Sequence, residues 1–312
     1  MEYILLIVGF ILLIKGADFF VDGASSVAGK LRVPSLIIGL TVVSLGTSLP
    51  EAAISISASI SGNNAISLGN AIGSNIFNLL MVVGVASVIL PIATDNDILK
   101  RDMPINIAIT ALLFIMFLDQ KLSRLEAAIL LTLLIAYMSL LIYSALKKKT
   151  QAPDQKILSW FKSIVFVVIG VAAIIGGGQL VVNSAKTIAA ALGMGETLIG
   201  LTVVAIGTSL PELVTSVVAA KKGDSGIAMG NVVGSSIFNI LFILGMAGAI
   251  KPMVAETEFF IDTAILIALS VMVFIFAFTK RKTGRVEGAI CLLMYVAYTA
   301  YIIMRAFHIW MF

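Results

Sequence analysis

Cysteine and histidine are almost missing from this 312-residue chain, which has one of each, Cys291 and His308. A single cysteine excludes an internal disulfide, and so thin a supply of thiolate and imidazole argues against soft-ligand metal centres and histidine chemistry. Charge is scarce as well: 12% of residues are Asp, Glu, Lys or Arg, 60% are hydrophobic, and the mean hydropathy is +1.10. That balance excludes a soluble globular chain and describes an integral membrane protein. The net charge of +4 does not point to nucleic acid, because the basic residues lie in short loops beside apolar spans, where Lys and Arg set orientation. The first hydrophobic run follows Glu2 without a basic leader and matches a second run near Gly170, so it reads as a structural span and not as a signal peptide.

Where charge is so rare, its placement matters. GLTVVSLGTSLPEAAISISA from Gly39 and GNAIGSNIFNLL from Gly69 put Glu51 inside a segment that otherwise reads as membrane-spanning. A carboxylate there costs several kcal/mol unless it is paired, hydrated or bound to a cation, and nothing basic lies in the same span. Ser44, Thr47, Ser48, Glu51 and Ser55 fall on one helical face, and Asn70, Ser74 and Asn78 recur at every fourth position of the next segment. Pro50 lacks the N–H that would bond the Gly46 carbonyl and kinks the helix, which frees backbone oxygens near Gly46 and Thr47. Carboxylate, hydroxyl, amide oxygen and freed carbonyl make an all-oxygen set suited to a hard cation.

The stretch then recurs. GLTVVAIGTSLPELVTSVVA from Gly200 and GNVVGSSIFNIL from Gly230 match at an offset of 161, with 13 of 20 and 8 of 12 positions identical. Glu51 maps onto Glu212, Asn70 onto Asn231 and Asn78 onto Asn239, and the same offset carries Gly9 to Gly170, Pro91 to Pro252, Arg124 to Arg285 and Tyr137 to Tyr298. The chain is therefore a duplication, with a first five-helix repeat over 1–151, a central loop over 152–161 and a second repeat over 162–312.

In order, the spans of the first half are expected at about 3–28, 34–60, 65–92, 103–118 and 122–146, and those of the second at about 164–192, 197–220, 226–250, 259–278 and 286–304. Lys15 and Asp18, three residues apart, are expected to pair on the first span; 95–102 reads as a charged loop, and spans four and five as featureless scaffold. The fold class is an all-α integral membrane protein of ten transmembrane helices. Five spans per half force the copies into opposite orientations, the inverted-repeat plan of many secondary transporters. With the N-terminus outside, 15 Lys and Arg fall on inner loops and 5 on outer ones, so the positive-inside rule places the protein in the cell membrane with both termini extracellular. Inversion brings Glu51 and Glu212 together near the midplane, where two carboxylates match one divalent cation. Emptied, they cannot both stay ionised, so protons or monovalent cations replace the divalent ion on the return step, which is how an antiporter couples two ions.

GTSLPE, twice, each time followed by GN-x-x-GS-x-IFN, resembles the α-repeats of the sodium/calcium exchanger family within the cation/calcium antiporter superfamily, and the duplication extends the resemblance over essentially the whole chain. The resemblance implies a core of spans two, three, seven and eight, with spans one and six sliding across it for alternating access. It implies calcium ligands at Glu51 and Glu212, with Thr47 and Thr208 beside them. To cation coordination or its immediate support it assigns Ser48, Ser209, Ser74, Ser235, Asn78, Asn239 and the backbone at Ala205; Ser44, where the second repeat has Ala205, adds a hydroxyl beside one sodium position. Potassium-dependent exchangers typically carry Asp at the position of Asn239, and proton-coupled calcium exchangers typically read GNA-x-E where this chain has GNAIG and GNVVG. The implied function is exchange of calcium for sodium, with proton-coupled calcium/cation antiport as the alternative. No cofactor is expected; the partners are calcium and sodium ions and the lipid bilayer, without nucleic acid, and the chain is expected to work as a monomer.

Other readings explain less. Ser55 and Ser216 read as structural hydroxyls bonding the preceding turn, and the Gly69/Gly73 and Gly230/Gly234 pairs as helix-packing grooves. An intramembrane protease also uses two buried acids, but peptide hydrolysis leaves a duplicated asparagine face unexplained. A passive cation channel is separated from an antiporter by counter-ion dependence of flux. The charge-derived topology predicts that, with Cys291 replaced, a cysteine at position 63 reacts with an impermeant thiol reagent from outside and one at position 151 only from inside; the reverse labelling would show the chain to be misoriented.

Overall fold

The computed structural model describes residues 1–147, 157–193 and 205–306. Its helices are α1 (Glu2–Leu31), α2 (Ser35–Thr47), α3 (Leu49–Ile60), α4 (Asn64–Ile89), α5 (Ile98–Asp119), α6 (Arg124–Lys147), α7 (Trp160–Ala191), α8 (Ala205–Thr208), α9 (Leu210–Lys221), α10 (Ser225–Ile250), α11 (Thr257–Lys280) and α12 (Arg285–Ala306). Eight are long and apolar enough to cross a membrane, and α2 with α3, bent by 50° at Ser48, together meet the same test as a broken span or a re-entrant loop. The span expected over 197–220 is described only from Ala205, as α8 and α9; 194–204 lie outside the described residues.

Burial sorts these helices. In α4 and α10, 72% and 78% of the most apolar window is buried, against 11–44% in the other six long helices, so α4 and α10 form the centre. The outer helices instead expose Ile4, Leu125, Val286 and Leu293, which are the lipid-facing side chains of a bilayer protein. Around the centre, contacts come in pairs related by the 161-residue offset. Strand β1 (Ile92–Ala93) pairs antiparallel with β4 (Lys282–Thr283), and β2 (Lys121–Leu122) with β3 (Met253–Val254). Gly84 meets Leu292 of α12, and Gly245 meets Leu131 of α6. The last helix of each half thus packs on the central helix of the other.

A glycine seam joins α1 to α7. Gly9, Gly16 and Gly23 repeat every seven residues and oppose Gly177, Gly170 and Ser163 in reverse order, so the two helices run antiparallel with backbones in close approach. A Cβ on Gly170 would lie 2.7 Å from the Phe20 nitrogen, and one on Gly177 2.8 Å from the Gly9 carbonyl oxygen. The sequence signal was present in this heptad spacing, but periodicity of apolar residues does not reveal it.

Two expectations are corrected. Asp18 is not answered by Lys15: Lys222 Nζ, at the end of α9, lies 3.4 Å from Asp18 Oδ1 and donates to the Asp18 carbonyl at 2.9 Å, and it also lies 2.6 Å from Asp22 Oδ1. Asp18 and Asp22 share a helical face that abuts the other half, a partner no local spacing can predict. Nor are 95–102 all loop or spans four and five featureless. Helix α5 starts at Ile98 with a π-helical turn, and Asp102 is buried, paired to Arg101 (2.8 Å) and accepting a hydrogen bond from Tyr137 Oη of α6 (3.1 Å). In the second half Arg305 of α12 binds both oxygens of Asp262 in α11, at 3.0 and 2.9 Å. The Arg305–Asp262 pair clasps α12 to α11, and the Tyr137–Asp102 hydrogen bond clasps α6 to α5.

The seam predicts that Gly170→Ala destabilises the protein by about 1–3 kcal/mol through overpacking, read as a lowered Tm in detergent. Gly176→Ala serves as the control, because a Cβ there meets nothing within 4 Å; equal Tm for the two variants would refute the seam.

Candidate functional site

The two breaks build the site. Helix α2 stops at Thr47 and α3 resumes at Leu49; α8 stops at Thr208 and α9 resumes at Leu210. Ser48 (φ −85°, ψ 6°) and Ser209 (φ −96°, ψ 8°) hold the same sparsely allowed backbone conformation between them. Pro50 and Pro211 sit in the first turn of the resumed helices, where a missing N–H costs nothing. Glu51 and Glu212 lie in that same first turn, where free N–H groups and the helix dipole favour negative charge.

Both carboxylates are sealed from solvent, at 0% and 1% exposure. Each accepts a hydrogen bond from the serine at the other break: Ser48 Oγ donates to Glu212 Oε1 and Ser209 Oγ to Glu51 Oε1, both at 3.0 Å. Their second oxygens, Glu51 Oε2 and Glu212 Oε2, are buried and have no partner. Neither is ion-paired among the described residues. Ser209 Oγ also lies 3.0 Å from Ser74 Oγ of α4, which joins one stripe residue to the carboxylate.

The asparagine stripes divide into two roles. Asn70 Nδ2 donates to the Glu51 carbonyl (3.0 Å) and to Ser55 Oγ (2.9 Å), while Asn231 Nδ2 donates to the Glu212 carbonyl (3.3 Å) and to Ser216 Oγ (2.9 Å). Asn231 Oδ1 in turn receives Thr47 Oγ1 at 3.0 Å across the two halves. These two asparagines tie α4 to α3 and α10 to α9, and Ser55 and Ser216 serve that tie, in keeping with their structural reading. Asn78 and Asn239 differ. They open π-helical turns, Asn78–Val82 and Asn239–Leu244, a local geometry concentrated at functional sites. Both are buried, and Asn78 Oδ1, Asn78 Nδ2 and Asn239 Oδ1 have no partner.

Other expected site residues are placed as follows. Ser44 Oγ donates to the Leu40 carbonyl of its own helix (2.9 Å), which uses its hydrogen and leaves its oxygen lone pairs; the Ser44 carbonyl lies 3.5 Å from Ser235 Oγ. Ala205 opens α8, and Thr208, 8% exposed, closes it. The breaks thus gather Glu51, Glu212, Ser48, Ser209 and Ser74 directly. Asn75 was not expected at all: its Nδ2 donates to the Ser236 carbonyl (3.1 Å) and its Oδ1 accepts from Asn239 Nδ2 (2.9 Å). The only sequence signal was that the variable position of GS-x-IFN differs between the copies.

An all-helical membrane protein with two buried, uncompensated carboxylates among neutral oxygens is built to hold cations, and comparison with known proteins agrees. The sodium/calcium exchanger protein family model matches residues 1–143 and 162–304. The chain is 37% identical to the sodium/calcium exchanger MaX1 of Methanosarcina acetivorans, covering 95% of this chain and 97% of that one, and 38% identical to the putative antiporter CaxA of Alkalimonas amylolytica, covering 95% and 96%. The sodium-calcium exchanger NCX_Mj, in crystals soaked with 10 mM Na+ and zero Ca2+, superimposes with a TM-score of 0.85 at 34% identity over 96% of this chain and 98% of that one. The chain belongs to the sodium/calcium exchanger family, whose members are membrane antiporters that transport Na+ and Ca2+ and are not enzymes.

The asparagine ties generate a comparative prediction. Asn231→Leu removes a bridge between halves as well as a tie within one, so it should lower Tm more than Asn70→Leu, each leaving buried polar groups unpaired at about 1–3 kcal/mol apiece. A larger loss for Asn70→Leu would contradict the assignment.

Proposed function

We propose that the protein exchanges calcium for sodium by alternating access, through one cation site near the membrane midplane centred on Glu51 and Glu212. The observation that carries this reading is that Glu51 Oε2, Glu212 Oε2, Asn78 Oδ1 and Asn239 Oδ1 are all buried and without partners. Buried oxygens are left unpaired at a cost of roughly 1–3 kcal/mol each, and two carboxylates facing no base need a positive ion. Calcium, which takes about 6–8 oxygen ligands, suits the set. When it leaves, the two like charges repel and monovalent cations must replace it. A proton needs one carboxylate oxygen, whereas dehydrated sodium needs several neutral ones. Asn78, Asn239, Thr47, Thr208, Ser74, Ser235 and the backbone at Ala205 are the candidates, which favours sodium. Ser48 and Ser209 orient the carboxylates.

The reading takes the chain as two inverted five-helix repeats, ten spans in all, with both termini outside and function as a monomer. The reciprocal strand pairs and reciprocal serine–glutamate bonds are what two copies related by a two-fold axis would make. The glycine seam supports α1 and α7 sliding as one body across the core.

Proteoliposomes loaded with sodium and diluted into sodium-free medium should take up calcium at constant pH and without potassium, and Glu51→Gln or Glu212→Gln should each abolish uptake while leaving a folded protein. Uptake that follows a pH gradient under clamped voltage and ignores sodium would replace this reading with proton coupling. Near-normal uptake by either variant would remove the glutamates from the site.

A further inference from the structure

We infer that Asn75 is a positioning residue that locks Asn239 with its carbonyl oxygen turned to the cations, leaving Asn78, its counterpart, unlocked; the inference rests on the exchange reading above. The Ser236 backbone carbonyl can only accept a hydrogen bond, so the Asn75 side chain must present Nδ2 to it, at 3.1 Å. Asn75 Oδ1 then faces Asn239, which must answer with Nδ2, at 2.9 Å. Asn239 Oδ1 is thereby turned away, buried and without a partner. Asn75 and Asn239 are each 1% exposed, so no water competes for either amide.

The mirror position lacks this chain. Under the 161-residue offset Asn75 corresponds to Ser236 and Asn239 to Asn78. Ser236 Oγ instead bonds the Val232 carbonyl of its own helix at 3.0 Å. Asn78 is fully buried with both amide atoms unpartnered, so nothing selects which end it shows. One asparagine is a fixed oxygen ligand, and the other can turn its amide. A fixed carbonyl lowers the reorganisation needed to bind a dehydrated monovalent ion beside it, so Asn75 acts on sodium affinity through Asn239.

The test uses the reconstituted full-length exchanger, with half-saturating sodium and maximal calcium flux measured separately. Asn75→Ser, which copies what the second repeat already has, should raise half-saturating sodium by about tenfold, the low end for loss of a residue that orients a metal ligand, with maximal flux little changed. Asn75→Leu, of nearly the same size but with neither a donor for Ser236 nor an acceptor for Asn239 Nδ2, should shift it likewise and serves if the serine variant fails to fold. Combining Asn75→Ser with Ser236→Asn moves the lock onto Asn78 and should recover sodium activation. In an Asn239→Ala background, Asn75→Ser should add nothing, because the group it positions is gone. Unchanged half-saturating sodium in both single variants, or full additivity with Asn239→Ala, would overturn the inference while sodium-driven uptake by the parent protein left the exchange reading standing. Absence of sodium-driven uptake in the parent would sink both.

Discussion

Glu51 and Glu212 are closed off from solvent with no Lys, Arg or His paired to them among the described residues, and the surrounding structure is arranged to make that bearable. Each carboxylate is placed in the first turn of a helix, where unsatisfied N–H groups and the dipole offset part of its charge. Each also accepts a serine hydroxyl from the opposite half. One oxygen of each carboxylate is left unanswered, and this is the oxygen the proposed cation would meet. The helix breaks at Ser48 and Ser209, the prolines that follow them and the π-helical turns at Asn78 and Asn239 are the local means of bringing oxygen atoms to that place without leaving helix N–H groups stranded in an apolar interior.

Much of this was legible in the sequence because it depends on neighbours along the chain. Pro50 announced the kink, the duplicated motif announced that whatever Glu51 does Glu212 does too, and four-residue spacing put Asn70, Ser74 and Asn78 on one face. What was not legible depends on partners far apart. Spacing cannot say that Asn70 and Asn231 spend their amides tying helices together while Asn78 and Asn239 keep oxygens free, since all four occupy equivalent positions of a stripe. The charges on α1 looked self-neutralising through Lys15 because Lys222 is 200 residues from Asp22. Asp102 looked like a loop charge because an adjacent Arg101 is as common on a surface as in a buried pair, and only the packing of Tyr137 against it reveals the difference.

Symmetry and its failures carry different information. The strands, the serine–glutamate bonds and the asparagine ties occur twice, which is what a site that must serve ions arriving from either side requires. Lys222 with Asp18 and Asp22, and Asn75 with Ser236 and Asn239, occur once. At the positions related to Asp18, Asp22 and Lys222 the chain has Gln179, Asn183 and Ser61, so the two ends of the α1–α7 pair meet the core through different chemistry, charged at one end and neutral at the other.

The crossing of last helices between halves also constrains how the protein is made. Helix α6 packs through Leu131 and Ala127 on Gly245 and Gly248, which lie more than a hundred residues downstream. While the ribosome is still producing the second half, α6 therefore faces lipid along a surface meant for protein, and lipid must be squeezed out from that surface when α10 arrives. A half-length chain would keep both docking surfaces open, and a second copy inserted the other way round could fill them with the same glycine and leucine contacts. Joining the copies in one chain permits them to diverge at positions such as 75 and 236.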